Sequence, residues 1–424
     1  MIIEEKIKAD LLIDNAAEVI TCVPAANDPL GKIANGAVVV ADDRIIAVGP
    51  RDALEKTVDL SGAEVVDAGG KIVAPGFVDC HTHLVFGRSR VKEYALKMTH
   101  SVADIEATGL KTGIPASIAM TRKATEEDLF SGAMDRLKRM LRYGTTTVES
   151  KSGYGISWPH ELKMLRVNQR LDQAQPMDVV STFLGAHDFP PEIDREDPHQ
   201  RAAYIRELTD EMMPRVAEEK LAEFCDIYCD VGYYTAKESA TVLKGGMRHG
   251  LAPRIHTDAY ANIGGSSLAA ELPAVSADHL NYPSPKEMRR MAAAGVVGVV
   301  LPALDFAVAH PDPFAARPMI EAGMTLALGT NLNPGNWTES MQFVMQLACR
   351  NHGMSPEEAM LAATTGAARV VRREQHIGCL TQGFQADIQI WDLPGFEDII
   401  YRLGNNAVWM VIKNGKIVVR RNVS

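Results

Sequence analysis

The chain has 424 residues, 46% hydrophobic and 23% charged, with 33 glycines and 22 prolines, a balance that excludes collagen-like, low-complexity and disordered chains. Its 44 Lys and Arg stand against 54 Asp and Glu, a formal net charge of −10. Without basic runs, such a surface argues against nucleic acid and anionic membranes as partners. The first stretch, MIIEEKIKADLLIDNA, lacks the apolar core of a signal peptide, and no uninterrupted apolar run is long enough to span a bilayer. Six scattered cysteines, 22, 80, 225, 229, 349 and 379, fit a cytoplasmic protein with reduced thiols.

In chain order, residues 1–75 read as short β runs. Ala37–Ala41 and Arg44–Val48 flank Asp42-Asp43 as a hairpin, Glu64–Val66 and Lys71–Val73 flank Ala68-Gly69-Gly70, and no helix of useful length is expected. Over 76–378, short apolar runs alternate with stretches of helical period. The runs are Phe77–Val78, Thr145–Val148, Val179–Phe183, Asp226–Tyr228, Arg254–His256, Ala274–Ala277, Val296–Leu301 and Thr325–Leu328. The helical stretches include Glu126–Arg142, His160–Leu171, Gln200–Glu218, Lys237–Arg248, Pro285–Ala294 and Pro356–Val370. About eight βα units predict a (β/α)8 barrel. Residues 379–424 return to strands, with Val408–Lys413 and Lys416–Arg420 joined by Asn414-Gly415, a two-residue hairpin signal. The fold class is therefore α/β: a TIM-like barrel with a small β-sandwich built from both chain ends.

The strongest chemical signal is Asp79-Cys80-His81-Thr82-His83, directly after the first barrel run. Residues i and i+2 of a strand face one way, so His81 and His83 share a cavity at the strand end where barrel active sites lie. Two neutral imidazoles suit a divalent metal, Zn²⁺ or Fe²⁺. His187, His256 and His279 also fall at the ends of expected strands, which makes accidental placement of the pair hard to sustain. The turn after Thr145–Val148 can present Lys151, Ser152 and Tyr154 to a ligand, and Arg90 can take a carboxylate bidentately. Asn331 ends the last strand, where a carboxylate would complete a metal site and act as a base; an amide cannot do the second. Asp278, next to His279 on a strand, is expected to point away from the cavity. Cys225 and Cys229 in CDIYC alternate like strand residues, so packing is preferred to metal binding for them.

Together these residues resemble the amidohydrolase superfamily and, within it, the imidazolonepropionase branch. The superfamily likeness lies in GKIVAPGFVDCHTH, His256, His279 and the closing GFQADIQIWD and VIKNGKIVV. The narrower one lies in HTHLVFGRSR, YGTTTVESKSGYG, DVVSTFLGAHDFPPE, AAELPAVSADHL and NLNPG. The resemblance implies one bound divalent metal, a homodimer, and hydrolysis of a C–N bond in a small cyclic amide by activated water. By position, His81, His83 and His256 look like metal ligands with Asn331 completing the set. His279 and His187 look like the groups handling water and carbonyl. Arg90 and Tyr154 look like substrate contacts, Arg90 for a carboxylate tail, and Val102, Ala259 and Asn333 fall at further substrate-contact positions.

The departures lie in the expected cavity. Ala259 stands where the family places a glutamate, Asn331 where it places a metal-binding aspartate, and Val102 where it places a tyrosine. Losing the aspartate raises the charge of the site by one, which acidifies a bound water. The changes favour a ring substrate related to imidazolone, with imidazolonepropionate itself, an acyclic urea, carbamate or aryl amide, displacement on a heteroaromatic ring, and non-catalytic binding as the alternatives.

Overall fold

The computed structural model describes residues 6–421. Every apolar run expected as a barrel strand forms one: β1 Phe77–Asp79, β2 Thr145–Lys151, β3 Asp178–Ala186, β4 Phe224–Cys229, β5 Ala252–Thr257, β6 Ser276–His279, β7 Val297–Val300 and β8 Leu326–Leu328. They lie side by side in chain order in one sheet, with parallel pairing from β3 through β8. All residues of β2, β4 and β5 are buried, as strands covered on both faces must be. Beyond β1 the chain stays extended and closes the ring: the amide of Asn331 donates to His81 O at 3.0 Å and that of His83 to Leu332 O at 2.8 Å. On the other side Lys151 N donates to Thr82 O at 3.0 Å. This is the expected (β/α)8 architecture.

Contacts divide the chain into two compact units. One comprises the stretch to Asp79, Arg139–Thr147 and the chain from Ser340; the other comprises Cys80–Lys138 and Val148–Glu339. The first holds two sheets. One runs Lys416–Arg420, Val408–Lys413, Ile388–Trp391, Ile72–Pro75, Glu18–Ile20, Lys32–Ala34, and so draws on both chain ends. The other runs Arg44–Pro50, Gly36–Ala41, Leu11–Asp14, Glu64–Asp67. Leu11, Ile13, Val38 and Val40 of the second pack with Val73, Ile388, Ile390 and Ile412 of the first, which makes the expected sandwich. Asn414 and Gly415 take φ 50° and 75°, the left-handed pair that a tight hairpin needs.

Some details differ from the sequence reading. A seven-residue helix, Arg51–Thr57, buries only Leu54; one apolar contact leaves no periodicity to read. Glu64–Asp67 and Ile72–Pro75 enter different sheets, so the Ala68–Gly70 turn passes the chain between layers. The stretch 200–218 is helical but widens to a π-helical turn at Glu207–Met212, just before Pro214, which has no N–H to close a regular turn. Three of the four helices between β1 and β2, Val91–Lys97, Val102–Ala107 and Gly113–Lys123, have too little amphipathic repeat to be seen. Among the described residues no helix is long and apolar enough to cross a membrane.

Candidate active site

Five buried histidines meet at the C-terminal ends of the strands. Ring centroids lie 4.6 Å apart for His81 and His256, 5.2 Å for His256 and His279, and 4.7 Å for His83 and His187. Two triads have ligand atoms within 4.8 Å of one another, His81–His256–His279 and His83–His187–His256. His256 belongs to both.

Hydrogen bonds fix which nitrogen carries each proton. His81 Nδ1 bonds Asp278 Oδ2 at 2.6 Å, His256 Nδ1 bonds Asp226 Oδ2 at 3.0 Å, and His187 Nδ1 bonds the Gly153 carbonyl at 3.1 Å. Each partner only accepts, so Nδ1 donates and Nε2 keeps its lone pair. Burial, with neighbouring cationic groups, pushes His81, His83 and His279 well below the usual imidazole range and His187 down to about 3. These rings are neutral, as metal ligation requires.

Asn331 lies in the left-handed region at φ 47°, which Asn tolerates. Its carbonyl accepts from Asn333 Nδ2 at 2.9 Å and Asn336 Nδ2 at 3.1 Å. His83 Nδ1, His256 Nε2 and Asn331 Oδ1 are buried with no hydrogen-bond partner. Each such atom costs roughly 1–3 kcal/mol, and a cation relieves the unsatisfied acceptors among them together. The donor set fits a divalent metal.

Beneath the histidines lies a wholly buried charge network that the sequence reading missed. Lys151 Nζ donates to Glu149 Oε1 and Asp226 Oδ2, both at 2.9 Å. Arg254 reaches Asp278 Oδ2 at 2.8 Å and Glu149 Oε1 at 3.1 Å. Three carboxylates face two cations, leaving one net negative charge under the cluster. Asp278 does not point away from the cavity as alternation implied. His279 takes φ 85° and Leu280 φ 59°, so the regular strand ends there and neighbouring side chains both turn inward. Lys151 does not face a ligand; it is fully buried in this network. Nor does Ser152, whose hydroxyl accepts from Leu184 N at 2.9 Å. The available clue was charge on strands that should be apolar on both faces, as in TVESK, PRIH and SADH.

Above the cluster opens a cavity of about 570 Å³, lined by His83, His187, His256, His279 and Asn331 and, among others, by Arg90, Tyr154, Val102 and Asn333. Tyr154 stands 5.4 Å from His83 and 5.3 Å from His187, ring to ring. Arg90 gives one nitrogen to both Glu93 oxygens, at 2.9 and 3.1 Å, while its Nε has no partner. Its guanidinium packs on Gly335, where a Cβ would come within 2.1 Å. Asn333 spends its side-chain oxygen on the amides of Gly335 and Asn336, and so shapes the loop. Ala259 is not on the wall: its amide donates to Asp230 at 2.7 Å and its carbonyl accepts from His310 at 2.9 Å. Asp258 bonds Ser266 at the start of helix Gly265–Glu271, a supporting place.

A model of the amidohydrolase family matches residues 72–418. The chain belongs to the amidohydrolase family. A model of the imidazolonepropionase-like composite domain of bacteria matches residues 36–57. Imidazolonepropionase of Geobacillus kaustophilus is 42% identical over 420 residues, covering 96% of this chain and 98% of its own. That of Geobacillus thermodenitrificans is 43% identical over 420 residues, with the same coverage of each chain. Among solved structures, a zinc-bound adenosine deaminase from Xanthomonas campestris superposes with TM-score 0.70 at 21% identity, covering 98% and 94%. A zinc complex of atrazine chlorohydrolase from Arthrobacter aurescens gives 0.67 at 16%, covering 97% and 95%. These two likenesses carry the fold alone. As an amidohydrolase the chain is a hydrolase of C–N bonds that uses a divalent metal.

Proposed function

We propose that this amidohydrolase opens the ring of an imidazolone-type cyclic amide, with imidazolonepropionate as the reference substrate. The observation that carries the reading is the pair of triads sharing His256, set beneath a cavity with Arg90 on its wall. His81, His83 and His256, with the amide oxygen of Asn331, hold the ion, Zn²⁺ or Fe²⁺ by their nitrogen and oxygen donors. Bound there, a divalent cation supplies Lewis acidity to a water and to the ring carbonyl.

The remaining work falls to side chains. Breaking the lactam C–N bond with one water leaves a carboxylate and an amidine nitrogen. His279, neutral, accepts the proton of the attacking water and returns it to the leaving nitrogen. His187, its Nδ1–H held by Gly153, presents only a lone pair, so it accepts from the ring N–H and orients it. Arg90, on the cavity wall, binds the carboxylate arm through its guanidinium, and Tyr154 closes the wall beside His83. A homodimer in the cytoplasm completes the proposal; sedimentation of the metal-loaded protein tests the former.

The experiment is turnover of imidazolonepropionate after metal reconstitution, followed by loss of ring absorbance. We expect roughly 1–1000 per second, and His256→Ala to remove both turnover and metal. Full activity in metal-stripped protein would sink the mechanism.

A further inference from the structure

The cavity changes character from floor to rim. Its floor is polar and buried: His83, His187, His256 and His279 are each less than 8% exposed. Its rim is open and mixed, with exposed His100 and Ser101 beside a group of exposed apolar side chains. Tyr94, Met98, Val102, Tyr260 and Val308 line the cavity and stay between 41% and 59% exposed, with Leu304 half-buried beside them. The rim charges are confined to one corner, where Glu93 accepts from Arg90 and pairs with Lys97 at 2.7 Å, leaving a net positive corner.

An imidazolone with a three-carbon acid arm fills well under half of about 570 Å³, and its carboxylate engages only the cationic corner. It leaves the apolar part of the rim in water, where contiguous exposed apolar surface is normally kept small unless something binds there. We infer that the substrate's arm is amphiphilic: its carboxylate meets Arg90, and an aryl or branched-alkyl group on the same arm lies on the rim formed by Tyr94, Met98, Val102, Tyr260, Leu304 and Val308. The inference rests on the ring-hydrolysis reading above and adds the substrate class. Covering apolar surface gains affinity in proportion to area, and a single methylene in an apolar subsite already shifts kcat/KM by about tenfold or more.

The test compares two substrates on the metal-loaded protein: imidazolonepropionate, and the same compound with a phenyl group on its arm. The phenyl compound should have at least ~10-fold higher kcat/KM. In a Met98→Asp, Val308→Asp double variant that retains metal and its circular dichroism spectrum, that ratio should fall at least tenfold. A ratio at or below one in the parent, or a ratio unchanged in the variant, overturns the inference. Should neither compound turn over, the ring-hydrolysis reading fails instead, and the rim is then judged by calorimetric binding of the two matching hydantoins. Tighter binding of the phenyl hydantoin supports the apolar subsite, and equal affinity overturns it.

Discussion

His256 is shared by both histidine triads, and Asp226 behind it sets its tautomer. Replacing Asp226 by Asn turns the charged acceptor that holds Nδ1–H into a neutral one and takes one carboxylate from the pair neutralising Lys151. We expect metal affinity to fall roughly 10–100-fold, read by competition with a chelating dye, with folded structure retained. Asn331→Asp acts in the opposite sense, turning a neutral oxygen donor into a charged one. It should tighten metal binding at least about tenfold, ~1.4 kcal/mol, and raise turnover of imidazolonepropionate; unchanged affinity would mean that residue 331 does not touch the ion. The histidines were legible because strand-end placement repeats around the barrel. Glu149, Asp226, Arg254 and Asp278 were not, because alternation assigns a charged strand residue to solvent, whereas a barrel strand has no solvent side. Ala259 was placed by motif position, and nothing in its spacing signals that its loop is pinned to Asp230 by three successive amides.

At the scale of elements, the turn after β2 depends on a residue from the following helix. Glu161, in helix Trp158–Ala174, accepts from the amides of Gly153, Gly155 and Ile156, at distances down to 2.7 Å. That turn carries Tyr154 and the carbonyl that fixes His187. Glu161→Ala leaves three buried amides unmatched, and we expect a loss of about 3 kcal/mol in denaturant unfolding, with Glu161→Gln losing less because one acceptor remains. A loss below ~0.5 kcal/mol would mean that the turn is held by Arg122, which also donates to Gly155 and Ile156. All eight barrel strands and the long amphipathic helices were readable from periodicity. Val91–Lys97 and Val102–Ala107 were not, since each makes about two turns with one buried residue, and Gly113–Lys123 buries four residues of which the two apolar ones, Ala116 and Ile118, are two apart and off the helical repeat. Those helices carry much of the cavity rim, so the sequence revealed the chemistry of the floor better than the shape of the entrance.

At the scale of the whole molecule, the buried network carries one uncompensated negative charge, and a divalent cation above it offsets that charge as well as the unsatisfied acceptors. Stripping the metal should therefore lower the melting temperature, and adding it back should restore it. At about 1,000-fold excess over the dissociation constant, binding to the folded state alone is worth ~4 kcal/mol. Calorimetry with and without chelator checks this, and identical melting curves would show that the ion is not coupled to folding.

Closure of the ring has a consequence in time. Cys80 Sγ donates to Leu328 O, and these residues stand 248 positions apart; His81 and His83 pair with Asn331 and Leu332 across the same seam. During synthesis the two early histidines leave the ribosome long before the segment beyond β8 that holds Asn331 exists. The ligand set proposed above would therefore come together only when the last stave of the barrel is seated. An ion captured by the nascent chain would have to wait on an unfinished pocket, and on that proposal metal loading would be a late step of maturation that also reports that the barrel has closed.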